Sequence, residues 1–400
     1  MFLSVCIITK NEESSIEKCL QSVNEIADEI LILDSFSIDR TTAIAQKYTN
    51  KIYQSAWIDD FSYARNLCVS KAEGKWVLII DADEVFHYDS VFLDFLKKAP
   101  NEAYLIFRNE KYRNKSDNKL VSYPVGILRL FKNRKDVKFQ YPIHERLDDF
   151  FLENNIPIGV LKYGFLDHNI YETTDDKISF KQKYYLGIIH QQLEEIPDDE
   201  WLLFQKAKTN LFLKKIHESE RDLRLLIANK STNNKIKIAA LVLLSNLYKE
   251  QNDKAKCIET LKQGLKLKKC TLLYLFLGDA YYRDKSYWKA LRYYFRMKTS
   301  PLNLTYEESM YLISYVESKD KIFRIASSLY SLGFLRLSKY FLLVFRAKSG
   351  ADSFFLLSLI YLRKKQKTKC MQTLEEAIRI DPQWNKPIDL YGKLQKSQEQ

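Results

Sequence analysis

Four short apolar runs, LSVCIIT (3–9), EILILD (29–34), KIYQ (51–54) and KWVLIID (75–81), mark the first part of the chain. They are rich in Ile, Val and Leu and do not alternate with polar residues, which is the pattern of strands buried on both faces of a parallel sheet. Between the first two, Ile16, Cys19, Leu20 and Val23 recur at helical spacing. Strand, helix, strand, helix with short connections predicts a doubly wound α/β sheet. Ligands of such sheets bind beyond the carboxyl ends of the strands, so chemistry is to be sought just after each run.

The texture changes between residues 170 and 200, where strand patterns give way to amphipathic helices. Leu244, Ser245 and Tyr248 recur 33 residues later as Leu277, Gly278 and Tyr281, and again as Leu357, Ser358 and Tyr361. Nine positions after each Tyr stands a small residue (Cys257, Ala290, Cys370), followed by Leu261, Tyr294 and Leu374, with Pro382 closing the last copy. That period and register are those of tetratricopeptide repeats, and the aromatic positions read as packing between stacked helices. Residues 302–350 are expected to hold a degenerate pair and 200–230 a divergent first unit. The division expected is a catalytic domain over 1–190 and an all-α repeat domain over 191–400.

Composition narrows the setting. At 400 residues and 46% apolar, the chain is globular and long enough for two domains. Six scattered cysteines lack CxxC pairing, which excludes a finger-type zinc module and a disulfide framework. No basic and apolar leader precedes the first strand, and the longest apolar stretch, 325–345, is broken by Arg336 and Lys339, so a cytoplasmic protein without a membrane span is expected. The net charge of +12 is uneven: residues 1–100 hold 10 Lys/Arg against 16 Asp/Glu, and 251–300 hold 12 against 4. The acidic part suits a metal site. The basic part reads as a solvated helix face or a surface for an anionic partner. No nucleic-acid-binding motif accompanies the charge, and TKNEE after the first strand excludes a glycine-rich dinucleotide turn.

The string DADE at 81–84 directly follows an apolar run. Carboxylates one residue apart at a strand end point the same way, so Asp81 and Asp83 can face one hard divalent cation, magnesium or manganese, that also holds phosphate oxygens. Alone such a pair is common by chance. Its neighbours are SVCIITKNEE, ILDSFSIDRT, DFSYARN and WVLIIDADE, in this order and spacing, and together they resemble the family 2 glycosyltransferases of GT-A fold over about residues 1–170. The resemblance implies an inverting, metal-dependent transferase that uses a UDP-sugar. It implies that Thr9, Asn11 and Glu12 line the base and ribose, that Asp34 bonds the uracil, and that Arg65 approaches the base or diphosphate. Asp81 would then serve the ribose or metal, and Asp83 the metal. Asp39 and Arg40 read instead as capping the next helix.

The segment RLFKNRKDVKFQYPIHERL (129–147) also resembles the family, where such a segment closes over the acceptor side. A single displacement needs one base within reach of the acceptor proton. Glu145 is the first candidate and His144 the second; either could instead be a structural group. His168, at the end of the last strand-like stretch, is a candidate to complete the metal site, imidazole being acceptable to manganese. Trp57 and Trp76 read as core or pocket walls, and His87 and His190 have no nameable partner.

A transferase domain followed by such repeats resembles the sublancin-type S-glycosyltransferases, which modify bacteriocin precursor peptides on a cysteine or serine. The resemblance implies a hexosyltransferase with a peptide acceptor lodged along the repeat groove, and glucose as the default sugar. The same arrangement occurs in enzymes acting on cell-surface glycans or lipid-linked saccharides, and a non-catalytic binding scaffold is the third alternative. A homodimer through the repeats is also open.

Overall fold

The computed structural model describes residues 1–113, 116–168, 175–299, 318–345 and 350–396. These fall into two compact units, one from Met1–Lys111 and Tyr123–Leu226, the other from Tyr112–Ser122, Ile227–Asn303 and Tyr315–Gln400.

The first unit is an eight-stranded mixed sheet with helices on both faces. In chain order it holds β1 (Leu3–Thr9), α1 (Ile16–Val23), β2 (Glu29–Asp34), α2 (Thr41–Ala45), β3 (Ile52–Gln54), α3 (Phe61–Val69), β4 (Trp76–Asp81) and β5 (Glu84–Tyr88). There follow α4 (Phe92–Lys97), β6 (Ala103–Arg113), β7 (Leu120–Lys132), α5 (Asp148–Glu153), β8 (Ile158–His168), α6 (Asp175–Glu195), α7 (Glu200–Phe212) and α8 (Ile216–Ala228). The strand order is β3-β2-β1-β4-β7-β6-β8-β5. β1 through β4 are parallel to one another, as the apolar runs predict, while β7 joins β4 antiparallel and β5 joins β8 antiparallel. The lack of alternation in β1 has a direct cause. Leu3, Val5 and Ile7 pack with Ile16, Leu20 and Val23 of α1 on one face, and Cys6 packs with Ala64 and Cys68 of α3 on the other. Trp76 is buried in the first of these cores, and Trp57 lies against the second.

The second unit is helical: α9 (Asn234–Glu250), α10 (Lys254–Leu267), α11 (Thr271–Arg283), α12 (Tyr287–Tyr294), α13 (Ser318–Ser331), α14 (Leu335–Val344), α15 (Ala351–Arg363), α16 (Lys367–Ile380) and α17 (Asn385–Lys396). The repeat register holds residue by residue. Tyr248, Tyr281 and Tyr361 are buried on α9, α11 and α15, and Cys257, Ala290 and Cys370 are buried on the following helices. Gly278 has a local reason, since a β-carbon there would come within 2.3 Å of the Tyr294 ring. The other two copies carry Ser245 and Ser358 at that place, with Leu261 and Leu374 where Tyr294 stands. Of the degenerate pair expected over 302–350, α13 and α14 are in place, and 302–317 and 346–349 lie outside the described residues. α7 and most of α8, expected as a divergent first repeat, fall within the first unit.

The tip between β6 and β7 belongs to the second unit. There Asp117 accepts from the Trp384 indole and pairs with Lys386, while Lys119 pairs with Asp352. All six cysteines are buried and free. Among the described residues, no helix is long and apolar enough to cross a membrane.

Candidate functional site

The parallel register sets Thr9 opposite Asp34, and Ile8 opposite Asp81, so three strand ends deliver their polar residues side by side. The loop after β1 is built by Asn11, whose positive φ of 55° is one Asn tolerates well. Its amide donates to Ser37 Oγ at 2.8 Å and its side-chain oxygen accepts from the Ile38 amide at 2.9 Å. Asp34 closes this arrangement from below, accepting the Ser37 amide at 2.9 Å and the Ser37 hydroxyl at 2.5 Å, and it is fully buried. As placed, both oxygens of Asp34 hold the loop through Ser37. Thr9 Oγ1 is buried with no hydrogen-bond partner among the described residues. Asp39 accepts from the Thr41 and Glu13 amides, and Arg40 pairs with Glu13, so both tie the second loop to the first. Burial, reinforced by the Asp83 charge and opposed by the Ser15 hydroxyl, pushes the Glu12 carboxyl up from its ordinary range.

At the end of β4, Asp81 is held by arginines. Arg65 of α3, only 4% exposed, donates from Nη2 to Asp81 Oδ1 at 2.6 Å and from Nε to Glu145 Oε1 at 2.6 Å. Arg129 of β7 donates to Asp81 Oδ2 at 3.2 Å. Arg108 of β6 bridges Glu84 at 3.0 Å and Glu110 at 2.6 Å. Burial disfavours charge throughout, yet the pairing overrides it at Asp81, whose carboxyl sits far below the usual range because Arg129, Arg65 and Arg108 surround it. Arg65 is driven further toward its charged form by Asp81 and Glu145. Glu84, buried and next to the Asp81 charge, moves up. Buried pairs of this kind are costly to break singly, because the survivor is left charged and unsolvated.

Asp83 joins that network through His168, Glu110 and Arg108. Its Oδ2 lies 3.3 Å from His168 Nε2, and His168 Nδ1 lies 2.9 Å from Glu110 Oε2. Burial opposes the imidazolium, but the two carboxylates win and raise His168 to about 10. The carboxylate–imidazole–carboxylate line is the form in which a metal-binding histidine is oriented by its other nitrogen. Asp83 and His168 would hold a divalent cation once the imidazolium has given up its proton, while both oxygens of Asp81 serve guanidinium groups. Among the described residues there is no ready group of three His, Cys, Asp or Glu ligands.

Glu145 and His144 are both present at this edge. Glu145 is 13% exposed, with Oε1 committed to Arg65. His144 adopts φ 54°, its Nε2 is buried without a partner among the described residues, and burial with the Lys208 and Lys181 charges pushes it down to about 3. Trp201 of α7 donates to the His144 carbonyl at 3.2 Å, and the ring of Tyr185 on α6 lies 5.8 Å from the imidazole.

Comparison with known proteins follows the same division. The model described as glycosyl transferase family 2 matches residues 4–172, and the tetratricopeptide repeat model matches 238–269 and 351–383. The chain carries a family 2 glycosyl transferase domain followed by tetratricopeptide repeats. Among relatives, a TPR repeat-containing protein of Synechococcus elongatus is 36% identical over 152 residues, 38% of this chain and 36% of that protein. The SPbeta prophage-derived glycosyltransferase SunS of Bacillus subtilis is 27% identical over 276 residues, 62% of this chain and 58% of SunS. The chain thus spans well under two thirds of the length of either. The crystal structure of S. aureus TarS 1-349 overlaps 71% of this chain and 92% of that one at 18% identity, with a TM-score of 0.34, too low to support an argument.

In the transferase domain the structure gathers Asp81, Arg65 and Glu145 at one end of a network and Asp83 with His168 at the other, joined by Arg108 and Glu110, and sets Thr9, Asn11, Glu12 and Asp34 along the adjoining loops. Sequence reasoning missed Arg108, Glu110 and Arg129 as members of this network, and Lys181, Tyr185 and Lys208 as charged or aromatic neighbours. The one available signal was the spacing of Arg108 and Glu110, two apart and so on one face of a strand. His87, without a nameable partner in the sequence, stacks on Phe165 at 4.7 Å and pairs with Asp167.

Proposed function

We propose that this protein is an inverting glycosyltransferase that moves a hexose from a UDP-sugar to a cysteine or serine of a peptide, such as a bacteriocin precursor. The observation that carries the reading is the paired arrangement at the β4 end. Asp83, paired with His168, shares this end of the sheet with a carboxylate (Glu145) fixed by an arginine. In the transfer, the acceptor sulfur or oxygen bonds to C1 of the sugar, and the C1–O bond to the β-phosphate breaks. The electron pair leaves on UDP and the acceptor proton passes to Glu145, with His144 as the second candidate.

Each residue has a task in that step. Thr9, Asn11 and Glu12 bound the base and ribose, with Asp34 securing their loop through Ser37. Asp83 and His168 would hold magnesium or manganese, which supplies neutralisation of charge on the leaving diphosphate. Asp81, which the sequence offered for ribose or metal, fixes Arg65 and Arg129. The peptide acceptor draws support from the relationship to SunS, which extends over more of the chain than the transferase domain alone, and from the groove that stacked repeats provide.

The test is mass spectrometry of a cysteine-containing precursor peptide incubated with the protein, a panel of UDP-sugars, and manganese or magnesium with and without chelator. A hexose-sized gain on cysteine that survives mild base and disappears with chelator is expected. No peptide modification from any donor would overturn the peptide reading, and transfer undiminished by chelator would overturn the cation.

A further inference from the structure

The helix that follows the transferase sheet brings an unspent positive charge to the site. α6 is fixed to the loop before α3 by consecutive tyrosines. The Trp57 indole donates to the Tyr184 hydroxyl at 2.7 Å, that hydroxyl donates to Asp59, and the Tyr185 ring lies 6.1 Å from Phe61 and 5.8 Å from His144. Lys181 stands four residues before Tyr185, on the same helix face, with Nζ 5.6 Å from the centre of that ring.

Around Lys181 the two aspartates are engaged by other cations, and Glu12 accepts from the Ser15 hydroxyl. Asp81 is taken by Arg65 and Arg129, and Asp83 by His168. Among the described residues Lys181 makes no salt bridge, although Asp83 and Asp81 lie near enough to favour its charge. The Tyr185 ring over which the ammonium stands also borders His144, and the Lys181 charge is felt at Glu12, Asp83 and His144. Burial disfavours the ammonium, and Tyr185 with the two aspartates outweighs it, so Lys181 stays protonated. A cation held in place and forming no salt bridge among the described residues is available to an anion that arrives from outside.

We propose that Lys181 binds the diphosphate of the nucleotide-sugar and pairs with the oxygen that leaves C1. The inference rests on the UDP-sugar reading above and adds a group to it. Asp83 and His168, which would hold the cation, stand at the β4 end, and Lys181 on α6. A fixed ammonium aimed at developing negative charge needs no reorganisation when the bond breaks.

The experiment measures dissociation constants of UDP and of uridine for the wild type, Lys181→Ala, Lys181→Arg and Lys183→Ala, all as full chains in magnesium. Lys183 is the control for charge removed from the same helix, since it lines a separate cavity with His190 and Lys214. Loss of one charge-assisted contact predicts UDP binding weaker by about tenfold in Lys181→Ala with uridine unchanged. Lys181→Arg should recover most of the loss, and Lys183→Ala should match the wild type. UDP binding untouched by Lys181→Ala, an equal loss for uridine, or an equal effect of Lys183→Ala would each overturn the proposal. A wild type that binds no UDP would instead overturn the donor reading, and this inference with it.

Discussion

Glu145 has one oxygen committed to Arg65, while Oε2 has no hydrogen-bond partner among the described residues. A carboxylate fixed at one oxygen and open at the other is oriented to accept a proton without having to move. Glu145→Gln keeps the shape and an acceptor for the Arg65 N–H but removes the basicity. Transfer is expected to fall by about 10² or more with UDP affinity near that of the wild type, read by turnover and by titration. Transfer at the wild-type rate would shift the role to His144, which is neutral across ordinary pH and whose Nε2 has no partner among the described residues. His168 makes a different prediction. Its folded-state value near 10 lies above the ordinary 6.5, so its pairing stabilises the fold fully below pH 6.5 and the gain fades as pH rises through 10. In chelator, the denaturation midpoint of His168→Gln should therefore trail the wild type most near pH 6.5 and converge with it above pH 10. A gap that does not narrow would mean that the imidazolium pairing is not what stabilises the site. At this scale the strand-end residues were legible, because Thr9, Asp34, Asp81 and His168 each end an apolar run or strand. Their partners were not. Arg65 meets Glu145 across 80 positions and Asp81 meets Arg129 across 48, and ion pairs at such separations leave no local pattern.

Elements were legible where burial is two-sided or periodic. β1, β2 and β4 show as apolar runs because helices cover both faces of the sheet. β6 and β7 carry Arg108, Glu110 and Arg129, charged residues that the network satisfies inside the sheet, and strands of that composition do not stand out by pattern. The repeats were legible because one small position recurs, and their variation is itself coupled. Gly278 accompanies Tyr294, whose hydroxyl donates to Asp279 at 2.7 Å, whereas Ser245 and Ser358 accompany leucines. Gly278→Ala should therefore destabilise α11 and α12 by about 1–3 kcal/mol, as overpacking does. Adding Tyr294→Leu should return part of that loss. Chemical denaturation of the single and double variants decides it: equal stabilities for wild type and Gly278→Ala would show that the ring can step aside without cost.

For the whole molecule, the sequence expected a break at 190, where helical patterning takes over, because a helix carries no mark of which core it joins. Contacts assign it. In the first unit α7 is bound to the 129–147 segment: the Tyr141 hydroxyl donates to Asp199 at 3.0 Å, the Trp201 indole donates to the His144 carbonyl, and Arg146 lies 4.5 Å over the Trp201 ring. Elements that share such contacts open together, so native-state hydrogen exchange separates the two divisions in the intact chain. Amides of α7 should exchange with the same denaturant dependence as those of β1 and β4, and the β6–β7 tip should follow α15 and α16 through Lys119–Asp352 and Arg113–Asp381. Exchange of α7 in step with α9 and α10 would instead favour the break at 190. The outcome bears on chemistry as well as on folding. If α7 opens with the sheet, the His144 carbonyl contact and the Lys208 charge belong to the rigid transferase unit. Substitutions in the repeats should then leave UDP affinity unchanged.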